Sequence, residues 1–321
     1  MAKITVIGCG RWGSFIGWYL DKTGHKVTLY GRKDSANMGA FLQKRTNGLV
    51  EYGDSVTLST DIGCTTEADI IIISVNSQGL RSLMKELAAL SLKNKIFVIC
   101  MKGIEIETGK RLSQIVEENT DPSNSVAVWL GPGHVQEFTR GIPNCMVIDS
   151  GNDEVKKYLV DLFTSDLIRF YYGEDLIGNE VGAAAKNVIG IAAGMLDGLK
   201  LSTLKGALMS RGTREVARLI KAMGGNENSA YGLCHLGDYE ATVFSEFSHN
   251  RRYGEMLVTG ERYQSLAEGH FTAAALVGLE KNYGVELPIC QGVYNVIYSG
   301  LSAREGIDQL FSRSIKSEFY E

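Results

Sequence analysis

The 321-residue chain has an ordinary globular composition, with 44% hydrophobic residues, 22% charged residues and a formal net charge of −4. This balance is not typical of nucleic-acid binding, and the apolar runs are too short to span a bilayer. The six cysteines form no CxxC pair, which favours a reducing compartment and argues against a metal site. Because Met1 lies directly before the first apolar run, we expect no signal peptide and a cytoplasmic protein without membrane insertion.

The most informative stretch is N-terminal. An apolar strand at Ile4–Ile7 runs into Gly8-x-Gly10-x-x-Gly13, and a helix is predicted over Trp12–Lys22. Gly8 permits a tight turn, Gly10 leaves the backbone open to phosphates, and Gly13 lets the helix lie close to the strand. The N–H groups of the first helical turn then face the anion. This context predicts a dinucleotide-binding site.

The first half of the chain alternates between strand and helix patterns. Further strands are predicted at Val27–Tyr30, Asp69–Val75, Ile96–Met101, Val126–Leu130, Cys145–Asp149 and Arg169–Tyr172. Helices are predicted at Gly79–Leu90, Gly109–Glu118 and Asp153–Ser165. Buried apolar strands that alternate with helices predict an α/β fold with a Rossmann-type, doubly wound parallel sheet.

After about Gly178 the pattern is helical throughout. The predicted helices are Val181–Leu199, Leu204–Met223, Tyr253–Thr259, Thr272–Tyr283 and Pro288–Ser299. We therefore predict a nucleotide-binding Rossmann domain over residues 1–178 and an all-α catalytic domain over residues 179–321.

The end of the second strand bears on the cofactor. NAD-selective folds usually carry an acidic residue there, which binds the ribose 2′-hydroxyl. In this chain Tyr30 and Gly31 are followed by Arg32 and Lys33, two cations that suit a 2′-phosphate. The alternative is that both are solvated turn residues. NADP(H) is therefore favoured, and NAD(H) is possible.

Two lysines lie in apolar stretches, where burial of a charge costs free energy. Lys102 ends the apolar run Ile96–Met101, and Lys186 lies in a helix lined with small residues. Loss of hydration lowers the pKa of a lysine, which suits acid/base chemistry near neutral pH. Alternatively, either lysine extends its ammonium into water. Asp238 could pair with such a lysine, or it could cap a turn or helix.

These motifs resemble the bacterial type of NAD(P)-dependent glycerol-3-phosphate dehydrogenase. The similar stretches keep the family's order along most of the chain: Gly8–Gly13, Ser74–Arg81 with Asn76 in place of proline, Met101–Gly103, Gly131–Pro132, Ala185–Val188, Asp197–Gly198, Ser210–Gly212, Leu236–Asp238 and Asn250–Gly254. The resemblance implies a Rossmann-plus-helical fold. It also implies reversible hydride transfer between a nicotinamide and C2 of dihydroxyacetone phosphate or sn-glycerol 3-phosphate, which feeds glycerophospholipid synthesis.

The resemblance implies roles for individual residues. Lys186 exchanges the proton at the C2 oxygen, Lys102 polarises that oxygen, Asp238 orients the lysine and Asn187 assists. The implied cofactor-binding residues are Gly8, Gly10, Arg11, Trp12, Gly13, Arg32, Lys33, Lys102, Val135, His249, Leu266 and Glu268. The implied substrate-binding residues are Lys102, Gly131, Gly133, Lys186, Asp238, Thr242, Ser248 and Asn250. A small phosphorylated substrate and a homodimer are expected, and nucleic acid is not.

The departures from the family concern substrate positions. Gly133 stands where the family has serine, and His249 where it has arginine. A guanidinium offers a permanent bidentate charge, whereas histidine is mostly neutral at pH 7. Either this is a divergent glycerol-3-phosphate dehydrogenase in which Lys102, Asn250 and Arg251 suffice for the phosphate, or it is a paralogue for another polyol or sugar phosphate. Hydroxy-acid chemistry and a non-catalytic nucleotide sensor are further alternatives, although a sensor should have lost a catalytic lysine.

Overall fold

The computed structural model describes residues 1–318, and the chain divides into two compact units. The first unit contains Met1–Met101 and Leu112–Leu176, and the second contains Lys102–Arg111 and the chain from Ile177 onward. The segment Lys102–Arg111 belongs to the second unit although it lies between two elements of the first along the chain. A single boundary in the sequence therefore does not describe the division.

The first unit contains an eight-stranded sheet in the order β3-β2-β1-β4-β5-β6-β7-β8. Its strands are β1 (Lys3–Ile7), β2 (Lys26–Tyr30), β3 (Thr57–Ser59), β4 (Ile70–Ile73), β5 (Ile96–Ile99), β6 (Ser125–Leu130), β7 (Asn144–Ser150) and β8 (Ile168–Tyr172). The first six strands are parallel and have the order 3-2-1-4-5-6, which confirms the predicted Rossmann fold. Strand β4 is isoleucine throughout and fully buried, as expected of a strand covered on both faces.

Strand β7 differs from the predicted parallel sheet because it pairs antiparallel with β6. A parallel crossover needs a long connection, usually a helix that runs back along the strand. The helix between these strands, α5 (Val135–Phe138), has only four residues and rises roughly 6 Å, against about 20 Å for the six-residue β6. The chain therefore returns in the opposite direction, and β8 is then parallel to β7.

Helices join the strands of the first unit. The α-helices are α1 (Arg11–Lys22), α2 (Ala36–Lys44), α3 (Leu80–Ala88), α4 (Leu112–Glu118), α5 and α6 (Asp153–Phe163), with 3₁₀ helices at Ile62–Glu67 and Ser77–Gly79. The core packs strand side chains against large aromatic rings, including Trp129 and Phe163. The sequence patterns predict neither α2 nor β3, because α2 buries only Met38 and Phe41 and β3 has three residues.

The regular elements of the second unit, in its described part, are helices, and its segment Lys102–Arg111 adds one antiparallel β-bridge between Ile104 and Arg111. Its α-helices are α7 (Leu176–Gly198), α8 (Lys205–Ala222), α9 (His249–Thr259), α10 (Glu268–Tyr283), α11 (Pro288–Tyr298) and α12 (Ala303–Phe311). Its other helices are 3₁₀ helices at Ser202–Leu204, Glu227–Tyr231 and Leu236–Asp238 and a π-helix at Glu240–Phe244. Helix α7 packs closely on α9, since a Cβ on Gly194 would lie 1.8 Å from the carbonyl oxygen of Arg251. Within residues 1–318 no helix combines the length and apolar character that crossing a membrane requires.

Candidate active site

The glycine turn after β1 is closely packed. Gly8 has φ +113°, and a Cβ there would lie 2.1 Å from the carbonyl oxygen of Ser74. A Cβ on Gly13 would lie 2.0 Å from the carbonyl oxygen of Gly8. Neither position therefore accepts a larger residue without a backbone shift. These two glycines make the turn and let α1 begin directly against the end of β1.

Gly10 has no such packing reason to be glycine. It is the N-cap of α1 with φ −73°, and apart from its chain neighbours none of the described residues has an atom within 4 Å of its Cβ position. Because Gly10 has no side chain, α1 has no side-chain N-cap, and the N–H groups of its first turn and the positive end of its dipole face this space. The turn therefore fits the pyrophosphate of a dinucleotide, which needs room beside the backbone.

The side chains of Arg11 and Trp12 make contacts within the first unit. Nη2 of Arg11 donates to Oε1 of Gln136 at 3.1 Å. The Trp12 ring packs on Phe15 and Phe138, with ring centroids 5.2 and 6.1 Å away. Both side chains thus connect the start of α1 with α5.

The loop after β6 contains the substituted position Gly133. Gly131 and Gly133 have φ +128° and +138°, and a Cβ on Gly133 would lie 2.3 Å from Cε2 of Phe138. The Phe138 ring stacks on Phe15 with centroids 4.9 Å apart. The Phe138 ring therefore leaves no room for a side chain at position 133, where the resemblance implies serine. Val135, which the resemblance assigns to the cofactor, has a buried side chain in the core of the first unit, so a ligand contact falls to its backbone.

The two cations after β2 are solvated. The side chains of Arg32 and Asp34 are 79% and 77% exposed, and their closest charged atoms lie 3.6 Å apart. Lys33 is also exposed. Such a surface pair contributes little to stability. Both cations are therefore accessible to an anion from solvent.

In the second unit two lysines converge on one buried carboxylate. Nζ of Lys186 lies 2.8 Å from Oδ2 of Asp238, and Nζ of Lys102 lies 2.6 Å from the same oxygen. The side chain of Asp238 is 1% exposed, that of Lys186 is 9% exposed and that of Lys102 is 21% exposed. Within residues 1–318, Oδ1 of Asp238 has no hydrogen-bond partner. The alternative that Lys186 extends into water is therefore wrong.

Lys186 has a fixed position and an altered proton affinity. Its Nζ donates to Oγ1 of Thr242 at 2.7 Å, and that hydroxyl donates to the carbonyl oxygen of Asp238 at 2.7 Å. An ammonium has three N–H groups, so one remains for a further acceptor beside Thr242 and Asp238. Burial lowers the pKa of Lys186 to about 8, against the opposing effect of Asp238 and with the charge of Lys102 adding to the decrease. This group can therefore exchange protons near neutral pH.

Three separate stretches of chain build this cluster. Lys186 lies on α7, Lys102 follows β5, and the 3₁₀ helix and the π-helix supply Asp238 and Thr242. An ion pair between Arg111 and Glu180 ties the Lys102–Arg111 segment to α7. The π-helix has wider turns than an α-helix and occurs often at functional sites. The cluster thus depends on contacts up to 136 residues apart in sequence.

Asn187 and Asn250 form a half-buried amide bridge. Nδ2 of Asn250 donates to Oδ1 of Asn187 at 3.0 Å, and Oδ1 of Asn250 accepts the N–H of Gly269 at 2.9 Å. The bridge links α7, α9 and the start of α10. It leaves one Nδ2–H of Asn250 for the donation to a substrate phosphate that the resemblance implies.

The start of α9 contains the second substituted position. Oγ of Ser248 accepts the N–H of Arg251 at 3.3 Å and caps the helix. Nδ1 of His249 is hydrogen-bonded to the hydroxyl of Tyr263. The guanidinium of Arg251 lies 2.5 Å from Oδ2 of Asp197 and 3.6 Å from Oε2 of Glu255, so it has acidic partners inside the unit, and Asp197 also pairs with Lys205 at 2.7 Å. This pairing argues against the interpretation that Arg251 binds the substrate phosphate.

The last two residues assigned to the cofactor flank the beginning of α10. Leu266 is 49% exposed, and Glu268 is the first residue of the helix. Sequence reasoning missed the buried polar groups around the lysines, namely the pair Arg111–Glu180 and the fully buried His235. The only sequence signal for His235 is its place directly before Leu-Gly-Asp.

Fold and site define the class: nucleotide-dependent oxidoreductases that have a Rossmann glycine turn in one unit and a buried lysine in a second, helical unit. Sequence comparison gives the particular family. Residues 3–156 match the NAD-dependent glycerol-3-phosphate dehydrogenase N-terminus, and residues 175–308 match the C-terminus of that family. The chain belongs to the NAD-dependent glycerol-3-phosphate dehydrogenase family, which confirms the resemblance.

Individual relatives agree with this assignment over the whole chain. The sequence is 35% identical to glycerol-3-phosphate dehydrogenase (NAD(P)+) of Fusobacterium nucleatum across 99% of both chains. It is 34% identical to the protein of that name from Prosthecochloris aestuarii, across 98% of this chain and 99% of the relative. The structure is similar to that of glycerol-3-phosphate dehydrogenase from Coxiella burnetii, with a TM-score of 0.91 and 24% identity over 97% of this chain and 99% of that chain. This last likeness confirms the fold.

Proposed function

We propose that the chain reversibly transfers a hydride between NAD(P)H and C2 of dihydroxyacetone phosphate, and so supplies sn-glycerol 3-phosphate for glycerophospholipid synthesis. The observation that carries this proposal is the buried Lys186, whose pKa is lowered to about 8 and which keeps one N–H beyond its contacts to Asp238 and Thr242. The names of relatives that are 32–35% identical support the substrate.

The proposed reaction needs one proton at the substrate oxygen. When bound, the nicotinamide ring supplies or takes up the hydride. Lys186 donates its remaining N–H proton to the C2 oxygen during reduction, and neutral Lys186 accepts that proton during oxidation. Reduction should therefore slow as pH rises through the pKa of Lys186, whereas oxidation should accelerate over the same range.

Lys102 and Asp238 support this exchange in different ways. Asp238 holds Nζ of Lys186 and counteracts part of the decrease in the pKa of Lys186 that burial causes. Lys102 brings a second positive charge to the same carboxylate, and we assign it the polarisation of the C2 oxygen as negative charge develops there. Asn187, which follows Lys186 on α7, is held by Asn250 and has an assisting role.

We propose NADP(H) as the preferred cofactor, because Arg32 and Lys33 are exposed after β2 and suit a 2′-phosphate. The double variant Arg32→Ala, Lys33→Ala should raise KM for NADPH about tenfold, the cost of roughly one charge-assisted contact, and leave KM for NADH unchanged. Equal effects on both cofactors would contradict this preference. A cytoplasmic location and a homodimer remain predictions from the sequence.

A substrate panel tests the proposed function. NADPH and NADH oxidation is measured with dihydroxyacetone phosphate, pentulose phosphates and 2-keto acids, with the Lys186→Ala variant as the background control. The highest kcat/KM is expected for dihydroxyacetone phosphate. Because Gly133 and His249 depart from the residues that the resemblance implies at substrate positions, another polyol or sugar phosphate is the second candidate, and a higher kcat/KM for a pentulose phosphate would select it. Preference for an unphosphorylated 2-keto acid would refute both.

A further inference from the structure

A buried histidine joins the two elements that carry Lys186 and Asp238. His235 is 0% exposed and directly precedes the 3₁₀ helix that ends at Asp238. Its Nδ1 lies 2.8 Å from the carbonyl oxygen of Gly182 on α7, and its Nε2 lies 2.8 Å from the hydroxyl of Tyr239. Gly182 lies about one helical turn before Lys186, and Tyr239 directly follows Asp238. The two hydrogen-bond partners of the imidazole are therefore close in sequence to the ion pair. Tyr239 is one residue from Asp238, and Gly182 is about one helical turn from Lys186.

The contacts fix the protonation of the ring. A carbonyl oxygen only accepts hydrogen bonds, so Nδ1 of His235 carries the proton, and Nε2 of the neutral ring accepts the hydroxyl proton of Tyr239. Burial lowers the pKa of His235 to about 4, and the charge of Lys186 adds to this effect while the bond to Gly182 opposes it. The ring therefore keeps one tautomer over the pH range in which Lys186 titrates.

We propose that His235 is a positioning residue, which sets the spacing between α7 and the 3₁₀ helix and thereby the distance from Nζ of Lys186 to Oδ2 of Asp238. The inference rests on the proposed function for its kinetic consequence. A Cβ on Gly182 would lie 3.0 Å from Cβ of His235, so the histidine is seated directly against the α7 backbone. Such a contact has no flexible side chain that could absorb a change in spacing.

Replacement of His235 should change the pKa of Lys186 by moving Asp238. The charged groups on the two elements are Lys186 and Glu180 on α7 and Asp238 on the 3₁₀ helix. Those packed against them are Lys102 and Arg111 on the Lys102–Arg111 segment and Glu215 on α8, whose charge acts on Tyr239. If Asp238 moves away from Lys186, the opposition to desolvation weakens and the pKa of Lys186 falls. The protonated fraction of Lys186 near neutral pH then decreases, and so does the rate of ketone reduction.

Three variants of His235 test this. His235→Ala should lower kcat for ketone reduction by about 10- to 100-fold, leave the KM for NADPH unchanged, and move the alkaline limb of the kcat profile to lower pH. His235→Asn keeps a donor at the Nδ1 position for Gly182, and His235→Gln keeps an acceptor at the Nε2 position for Tyr239. The asparagine variant should retain more activity, because the contact to α7 sets the spacing. If the alanine variant fails to fold, comparison of the asparagine and glutamine variants still tests the proposal.

A substrate-free measurement separates the two proposals. The pKa of Lys186 is followed by NMR titration of protein labelled with [ε-13C]lysine, with Lys186→Arg for assignment. A lower pKa in the alanine and glutamine variants supports the inference even if the substrate assignment fails. An unchanged pKa of Lys186 and an unchanged kcat profile, in variants whose Tm alone is reduced, would show that His235 only packs. A glutamine variant more active than the asparagine variant would also overturn the proposal.

Discussion

The glycine turn of the first unit and the lysine cluster of the second are built in opposite ways. The turn depends on residues without side chains. Gly8 and Gly13 allow the backbone to pack closely, and Gly10 leaves space beside the backbone. The cluster consists of two lysines that share one oxygen of a buried carboxylate. A backbone site of this kind depends on local sequence, whereas a buried charge site depends on partners from distant segments.

This difference predicts how each site fails. A change in the turn either breaks the fold or blocks a ligand, and it leaves the chemistry of the lysines intact. A change in the cluster alters proton affinity and rate while the turn still binds its ligand. The following substitutions separate these outcomes.

Lys186→Ala should have the largest effect. Loss of the proton donor is expected to lower kcat by about a thousandfold, the typical contribution of general acid catalysis, with cofactor affinity nearly intact. Steady-state NADPH oxidation gives kcat, and fluorescence titration of NADPH gives the affinity. Normal turnover would refute the assignment of Lys186, and a parallel loss of NADPH binding would contradict the separation of the two sites.

Within the turn, Gly13→Ala and Gly10→Ala form a matched pair. Gly13→Ala should destabilise the protein by about 3 kcal/mol or more, because its Cβ would meet the Gly8 carbonyl oxygen at 2.0 Å. The Gly10→Ala variant should have the same Tm as the wild type, because the added Cβ enters open space. Its dissociation constant for NADPH should nevertheless rise about tenfold, because the methyl group occupies the space for the phosphates. Thermal unfolding and fluorescence titration of both variants decide this, and wild-type affinity of Gly10→Ala would count against the proposed site.

Gly133→Ser tests whether the substituted loop can be reverted. The family's serine should not restore activity here but should cost about 1–3 kcal/mol, because φ is +138° and Phe138 lies 2.3 Å from the Cβ position. Combination with Phe138→Leu should recover part of that loss. Urea unfolding of the two single variants and the double variant measures the coupling, and additive losses would show that Phe138 is not the obstacle.

Much of the first unit follows from the sequence because its signals are local. The isoleucine run of β4 and the spacing of Gly8, Gly10 and Gly13 predict the strands, the turn and the fold class directly. The antiparallel β7 could not be predicted in this way, since strand direction depends on the shortness of α5. Helix α2 could not be predicted either, because its two buried residues give no clear helical period.

The lysine cluster could be predicted only as a list of residues. The small-residue helix around Lys186 indicates burial, but nothing local shows that Lys102 and Lys186 share one oxygen of Asp238. Nor does the sequence show that Arg251, a cation expected for the phosphate, pairs with Asp197. Such pairings depend on how helices cross, and they cannot be read from periodicity.

His249→Arg tests the other substituted position. An arginine there should lower KM for dihydroxyacetone phosphate about tenfold if this site is a weakened form of the family's, because a guanidinium adds a permanent charge. The contact of His249 with Tyr263 is lost in the variant, so Tyr263→Phe is the control for that loss alone. No change in KM, or an increase, would favour the other-substrate interpretation.

A second buried acidic group in the helical unit, Glu215, should give the stability of the protein a pH slope. Glu215 accepts the N–H groups of Ile289 and Cys290 at 2.9 Å each, at the start of α11. Burial raises the pKa of Glu215 to about 7, and those two backbone donors oppose the increase. The folded state therefore holds this proton more tightly than the unfolded state, in which the pKa is near 4.5.

The stabilising contribution of protonated Glu215 is full below about pH 4.5 and is lost as pH rises towards about 7. Glu215→Gln removes the titration, so the wild type minus variant difference in unfolding free energy should fall with pH in that window, by at most about 1.4 kcal/mol per pH unit, and be flat above it. Urea unfolding between pH 4.5 and 8 measures the slope, with the exposed Glu246→Gln as the control. A flat difference across the window would mean that the backbone N–H groups outweigh burial at Glu215. In that case backbone donors would stabilise a charge in the helical unit, as we propose for an anion at the glycine turn, and the contrast between the two sites would weaken.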